Sequence, residues 1–255
     1  MMKDGARMIE AKGLHKAFGP IVAVSNMTFR VERGDVLGFL GPNGAGKTTT
    51  MKMLACFLPP DKGTATVEGK DIRQDSIEVR RMVGYVAENV PAYDEMEPHS
   101  FLRFVCNARG IKGAAARDAI ERTAERCAIG DVMNQLIGTL SKGYRRRVGL
   151  AQALVHDPPV LILDEPTDGL DPNQKHDVRR LIKQLSAKKC IIVSTHILEE
   201  VDAICNRIII IDRGKLLVDS TPNDLRASEN GTLDQIFRKM TIRHHRAAIT
   251  REVTE

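Results

Sequence analysis

Four stretches of this chain are short and almost wholly apolar, each bounded by turn residues: Asp35 to Leu40, Val160 to Leu163, Cys190 to Thr195 and Arg207 to Asp212. Runs of that length and character predict strands buried on both faces, as in a parallel sheet. After the last, Arg213-Gly214 and a second apolar run, Lys215 to Val218, predict a hairpin. Earlier, from Ile21 to Val31, apolar and polar positions alternate, which predicts antiparallel strands. Between Val90 and Pro158 the period changes. Phe101, Phe104, Val105 and Ala108 follow helical spacing, as do Ile120, Ala124 and Cys127. A further helix-like stretch follows Ser141 and reaches Val155, so this part reads as an inserted helical lobe.

The loop after the first strand carries candidate chemistry. Gly41-Pro42-Asn43-Gly44-Ala45-Gly46-Lys47-Thr48 fits the phosphate-binding loop pattern, and a helix-like run with Met51, Leu54 and Ala55 on one face follows it. Gly41, Gly44 and Gly46 allow backbone conformations in which successive N–H groups converge on phosphate oxygens. The positive end of the helix adds to that point. Lys47 then faces the β and γ phosphates, the Thr48 hydroxyl suits magnesium, and Thr49 reaches phosphate from the next position. The second apolar run ends in Asp164-Glu165-Pro166, and Pro166 cannot continue a ladder, so both carboxylates fall at the end of a strand. Ligands of open parallel sheets sit there. Asp164 suits the magnesium shell, and Glu165 suits orienting and deprotonating water. The third run closes on His196, a turn residue by default but within reach of a γ phosphate if its strand joins the same sheet.

Composition narrows the class. At 255 residues, with 42% hydrophobic and 28% charged residues, the chain suits one large α/β domain or two closely joined lobes. No run approaches the ~20 apolar residues needed to span a bilayer, and Met1 to Gly5 lacks the apolar core of a signal peptide, so a cytoplasmic location is expected. Cysteines 56, 106, 127, 190 and 205 lack paired metal-ligand spacing and are expected to be buried, reduced thiols. The net charge of +5 is interleaved with 33 acidic residues, and nucleic-acid binding is not expected. Arg145-Arg146-Arg147 reads as a solvated helix face, and the basic stretch from Arg238 to Arg251 as a solvated end.

Taken together, the runs from Met8 to Ile242 resemble the ATP-binding subunit of an ABC transporter. Leu140-Ser141-Lys142-Gly143-Tyr144 resembles the family signature Leu-Ser-Gly-Gly-Gln, with Lys142 and Tyr144 replacing Gly and Gln. Val83 to Glu88 is similar to the strand leading into the Q-loop, with Glu88 where Gln is usual. Thr167 to Asp171 is similar to the D-loop, with Asp168 where Ser is common; His196 falls on the switch histidine, and Phe18 on the aromatic that stacks on adenine.

The resemblance implies an α/β fold: a P-loop NTPase core with a mainly parallel sheet, an N-terminal antiparallel β subdomain and an inserted helical subdomain. One ABC ATPase domain over 8–242 is expected, with 8–89 and 159–222 forming the core, 90–158 the helical subdomain, and 223–255 a C-terminal helical segment and basic tail. It also implies that ATP and Mg2+ are bound. Glu165, His196 and Lys47 are then catalytic; Thr48, Asp164 and Glu88 hold the metal; and Phe18, residues Gly41 to Thr49, Ser141, Gly143 and Asp171 contact nucleotide.

In this family two subunits sandwich two ATP molecules head to tail, so Ser141 and Gly143 face the partner's nucleotide. A homodimer, or a heterodimer with a related subunit, follows, peripheral on the inner face of the membrane through a separate polytopic permease. The Gly-Tyr-Val-Ala-Glu run, the signature variant and Thr232 to Arg238 resemble the exporter branch that includes gliding-motility and multidrug-type ATPases. A chromosome-type ATPase would need long heptads between loop and signature, and a translation-factor ATPase a second cassette; this chain has neither. A soluble regulatory ATPase without a permease is the alternative.

Overall fold

The computed structural model describes residues 7–88, 92–229 and 231–252, with side chains to residue 242. The chain opens with two twelve-residue strands, β1 (Arg7–Phe18) and β2 (Ile21–Glu32). After β3 (Val36–Leu40) come the glycine loop and α1 (Lys47–Leu54), then β4 (Lys62–Val67) and β5 (Lys70–Asp71). Next, α2 (Ser76–Met82) runs into β6 (Val83–Val86). The helical lobe supplies α3 (Pro98–Ala108), α4 (Gly113–Arg126) and α5 (Lys142–Leu154). The chain returns through β7 (Val160–Asp164), α6 (Pro172–Ser186), β8 (Cys190–Thr195), α7 (Leu198–Ile204) and the hairpin β9 (Arg207–Asp212) and β10 (Lys215–Ser220). It ends in α8 (Pro222–Glu229) and α9 (Leu233–Glu252).

Two sheets result, one antiparallel in the order β2-β1-β4-β5 and one six-stranded in the order β10-β9-β3-β8-β7-β6. In the second, β9, β3, β8, β7 and β6 are parallel and β10 alone is antiparallel to its neighbour. Every residue of β3, β7 and β8 is buried. Their alternate side chains feed different cores: Leu161 and Leu163 face the helical side, whereas Val160 and Ile162 face the antiparallel sheet with Met8, Phe29 and Phe39. That two-sided burial explains why these strands read as unbroken apolar runs instead of alternating ones. Each fully buried Leu or Ile contributes about 1.5–3 kcal/mol, which makes this sheet the rigid platform for the loops at its ends.

The fold class is as expected, with three differences of detail. The alternation from Ile21 to Val31 forms one strand, β2, whose antiparallel partner is β1. Phe104 lies on α3, yet it is 50% exposed and meets Tyr93 edge-on. The arginine run is not a solvated face. Successive residues on a helix point about 100° apart, so three in a row cannot share one face. Arg147 pairs with Asp177 at 3.0 Å, Arg145 donates to the Leu140 and Gly138 carbonyls, and Arg146 is 4% exposed. The cysteines are free thiols, with Cys106, Cys127 and Cys190 buried and Cys56 and Cys205 half-buried. The expected boundary at 89–90 lies outside the described residues, as do the side chains of the basic tail beyond 242. Among the described residues no helix is long and apolar enough to cross a membrane.

Candidate functional site

The parallel register puts the chemistry at one edge. Leu40, Asp164 and Thr195 end adjacent strands, with Leu40 opposite Thr195 and Asp164 opposite Ser194. The glycine loop leaves β3 at this edge and delivers Lys47 at the first turn of α1. Gly46 sits at φ 103° with its Cα so close to β2 that a Cβ would lie 2.3 Å from the Ala23 carbonyl oxygen; only glycine fits. Around the loop is a cavity of about 530 Å³ lined by Phe18, Asn43 to Thr49, Glu88, Glu165, Asp168 and His196, with Ile21, Val22 and Ala23 forming the wall beside Phe18. Phe18 is 49% exposed, with Lys16 Nζ 5.8 Å from its ring centroid.

Glu165 is the hub of the polar groups. Its Oε1 lies 3.9 Å from Lys47 Nζ and its Oε2 3.1 Å from His196 Nδ1. Burial pushes the Lys47 ammonium below its ordinary value, against the attraction of Glu165, Asp164 and Glu88. Burial likewise pushes the Glu165 carboxyl above its ordinary value, against the hydrogen bond and charge of His196 and the charge of Lys47. Both shifts run toward the neutral form, the direction in which burial moves ionisable groups at functional sites. Lys47 meanwhile donates to the Gly41 carbonyl at 2.7 Å and to that of Pro42 at 3.3 Å.

Asp164 is fully buried. The Ser194 hydroxyl donates to its Oδ1, and its Oδ2 has no hydrogen-bond partner. A buried carboxylate oxygen without a partner is costly, and a hard cation is the ligand that would satisfy it. Among the described residues there is no cluster of three or more His, Cys, Asp or Glu side chains built to cage a metal. A magnesium ion shared between one carboxylate, one hydroxyl and phosphate oxygens would need no such cage; the unpartnered Asp164 Oδ2 suits it, and Thr48 lines the cavity beside the loop. Ser194 was missed as a site residue; its signal was its place two residues before His196 on a strand beside Asp164.

Behind these groups, Glu200 of α7 is 1% exposed and accepts from Thr167 and, at 3.4 Å, from the Thr195 hydroxyl, with Arg179 at 3.8 Å. It ties the turn after Glu165 to the strand end before His196. Ser141 caps α5, accepting from Tyr144 N–H, and Gly143 is buried against the Gln174 amide. Asp171 caps α6. Within the single chain these three do not line the cavity, whereas Asp168 does. Lys142 and Asp168, both departures from the family pattern, meet at 3.3 Å in an exposed pair. Such a pair contributes about 0–1 kcal/mol.

The ABC transporter family profile matches residues 24–168. The chain belongs to the ABC transporter family. As an ABC ATP-binding domain it is 36% identical over 240 residues to YbhF of Escherichia coli (strain K12), named as a probable multidrug ABC transporter ATP-binding protein. That match covers 91% of this chain and 41% of YbhF, so this ABC domain spans less than half of that relative's length. It is also 36% identical to the ABC transporter ATP-binding protein NatA of Bacillus subtilis (strain 168), over 88% of this chain and 92% of NatA. Among solved structures, an ATP binding subunit of an ABC transporter superposes with a TM-score of 0.84 at 27% identity, covering 92% of this chain and 99% of that one.

Proposed function

We propose that this ABC domain hydrolyses Mg-ATP to power a separate polytopic membrane permease, working as an exporter, by closing head to tail with a second copy or a related subunit around two nucleotides. The observation that carries the reading is Glu165, a buried carboxylate held between Lys47 Nζ and His196 Nδ1 at the mouth of the phosphate-binding loop. The multidrug transporter name of YbhF supports export. The resemblance of Ser141 and Gly143 to the family signature, together with their position away from the chain's own cavity, supports a nucleotide completed by the partner.

In this mechanism Phe18 stacks on the adenine, and the loop N–H groups from Gly41 to Thr49 hold the phosphates. Lys47 leaves the Gly41 and Pro42 carbonyls for the β and γ phosphates. Thr48, Asp164 and Glu88 would hold magnesium, which when bound would supply positive charge to offset that of the phosphates. Glu165 takes a proton from water as its oxygen attacks the γ phosphorus. The bond from that phosphorus to the bridging oxygen breaks, and ADP leaves with the electron pair. His196 reaches the γ phosphate and steadies Glu165, and Asp171 lies across the closed dimer interface. Through its permease the subunit sits on the cytoplasmic face of the membrane.

The test is phosphate release from Mg-ATP by the wild type and by Glu165→Gln, with nucleotide binding measured on both. The wild type turns over, while the variant binds ATP and does not; turnover by Glu165→Gln at the wild-type rate would overturn the role of Glu165. Recovery from membranes in complex with a polytopic protein separates this reading from a permease-free regulatory ATPase.

A further inference from the structure

Arg146 lies on the second turn of α5 and is 4% exposed, although an arginine on an isolated helix would be solvated. Its Nη1 donates to the carbonyls of Ala87 at 2.9 Å and Glu88 at 2.7 Å, and its Nη2 donates to the carbonyl of Glu165. One guanidinium thus joins the segments leaving two adjacent parallel strands, β6 and β7. The approach of α5 to β6 that permits this depends on Gly84, where a Cβ would lie 2.2 Å from the Ala153 carbonyl oxygen.

Glu165 needs such a support. It is a non-glycine residue at φ 49°, the left-handed region that side chains disfavour. Its N–H donates to the Ser194 carbonyl at 3.1 Å, so β8 holds one side of the residue and Arg146 holds the other. With both backbone groups pinned, the carboxylate is directed at Lys47 and His196. Arginine suits the task, because its planar fork presents separated donors to two chain segments at once, which an ammonium on a flexible stem does not. Burial pushes the guanidinium below its ordinary value, against the attraction of Asp168, Asp164, Glu88 and Glu165 around it.

We propose that Arg146 is a positioning residue for hydrolysis, which bridges the Glu88 segment to the Glu165 turn and sets the carboxylate to activate the attacking water. This rests on the reading of Glu165 as the residue that activates water. A displacement of the Ala87–Glu88 carbonyls pulls on the same guanidinium that holds Glu165.

Arg146→Lys and Arg146→Met test it, assayed as purified full-length chain for kcat, KM, ATP affinity and thermal midpoint, with Glu165→Gln alongside. Lys keeps the charge but reaches one segment at a time; Met keeps the bulk without donors. We expect kcat to fall at least tenfold in Arg146→Met and at least threefold in Arg146→Lys, with KM and ATP affinity within threefold of wild type. A wild-type kcat in Arg146→Lys overturns the proposal, and does so even if Arg146→Met fails to fold. A kcat loss matched by equal losses of ATP affinity and thermal midpoint also overturns it, by marking a purely structural role. An active Glu165→Gln removes the assignment of Glu165 and the proposal with it. An inactive Glu165→Gln beside a fully active Arg146→Lys removes the proposal alone.

Discussion

Replacing Lys47 with alanine removes the one full positive charge that the phosphate-binding loop supplies. A unit charge at about 4 Å from another interacts at about 4 kcal/mol in an effective dielectric of about 20. Not all of that is gained on binding. To reach the phosphates Lys47 must leave the Gly41 carbonyl at 2.7 Å and that of Pro42 at 3.3 Å, and its departure also loosens the 3.9 Å pairing with Glu165. A hydrogen bond from a charged donor is worth about 1.5–3 kcal/mol, so with one such bond given up the net contribution to ATP affinity is about 1–2.5 kcal/mol. At 1.4 kcal/mol per factor of ten, Lys47→Ala should weaken ATP about 5- to 60-fold. The fold itself should survive, because the buried ammonium is already disfavoured by its surroundings. Isothermal titration with a non-hydrolysable ATP analogue and magnesium measures the loss, with the thermal midpoint of the nucleotide-free chain as the control. An affinity within threefold of wild type would refute the electrostatic account of the loop.

Glu88→Gln should raise the magnesium concentration for half-maximal ATPase activity several-fold while leaving metal-free ATP binding unchanged or slightly tighter; superimposable magnesium titrations would remove the metal role of Glu88. His156 is packed under β6, its Nε2 3.3 Å from the Val83 carbonyl oxygen, and burial pushes its pKa down to about 4 from an ordinary 6.5. The unfolded chain thus takes up this proton before the folded one, so the contribution is full above pH 6.5 and is lost as pH falls toward 4, at most about 3 kcal/mol at about 1.4 kcal/mol per pH unit. Urea unfolding between pH 4.5 and 7 should show a shallower decline for His156→Gln than for wild type, and parallel curves would contradict it.

What was legible in the sequence is what local order encodes. The glycine loop sits between a buried strand and a helix within the nineteen positions from Val36 to Leu54, and Asp164-Glu165 closes its apolar run directly, so chain order alone places them at strand ends. His196 was legible for the same reason. Arg146 was not, because its partners lie at Ala87, Glu88 and Glu165 and nothing near it in the chain marks it as buried. A charge run suggests solvent, yet the helix distributes its three members around the axis and sends the middle one inward. β1 was equally obscure: its register with β2 shifts four times, so the apolar positions do not keep a strict alternation. Ser194 and Glu200 bond across the sheet edge, and only the pairing of β7 with β8 brings their partners within reach.

The composite nucleotide site is the centre of the account, and sedimentation velocity of the Glu165→Gln chain tests it most directly. Trapped before hydrolysis, it should run as a monomer without nucleotide and as a dimer with Mg-ATP. Adding Ser141→Arg, which puts bulk and charge at the N-terminus of α5 where the partner's nucleotide would lie, should return it to a monomer with ATP still bound. A chain that stays monomeric with Mg-ATP, or a dimer that tolerates Ser141→Arg unchanged, would contradict the sandwich.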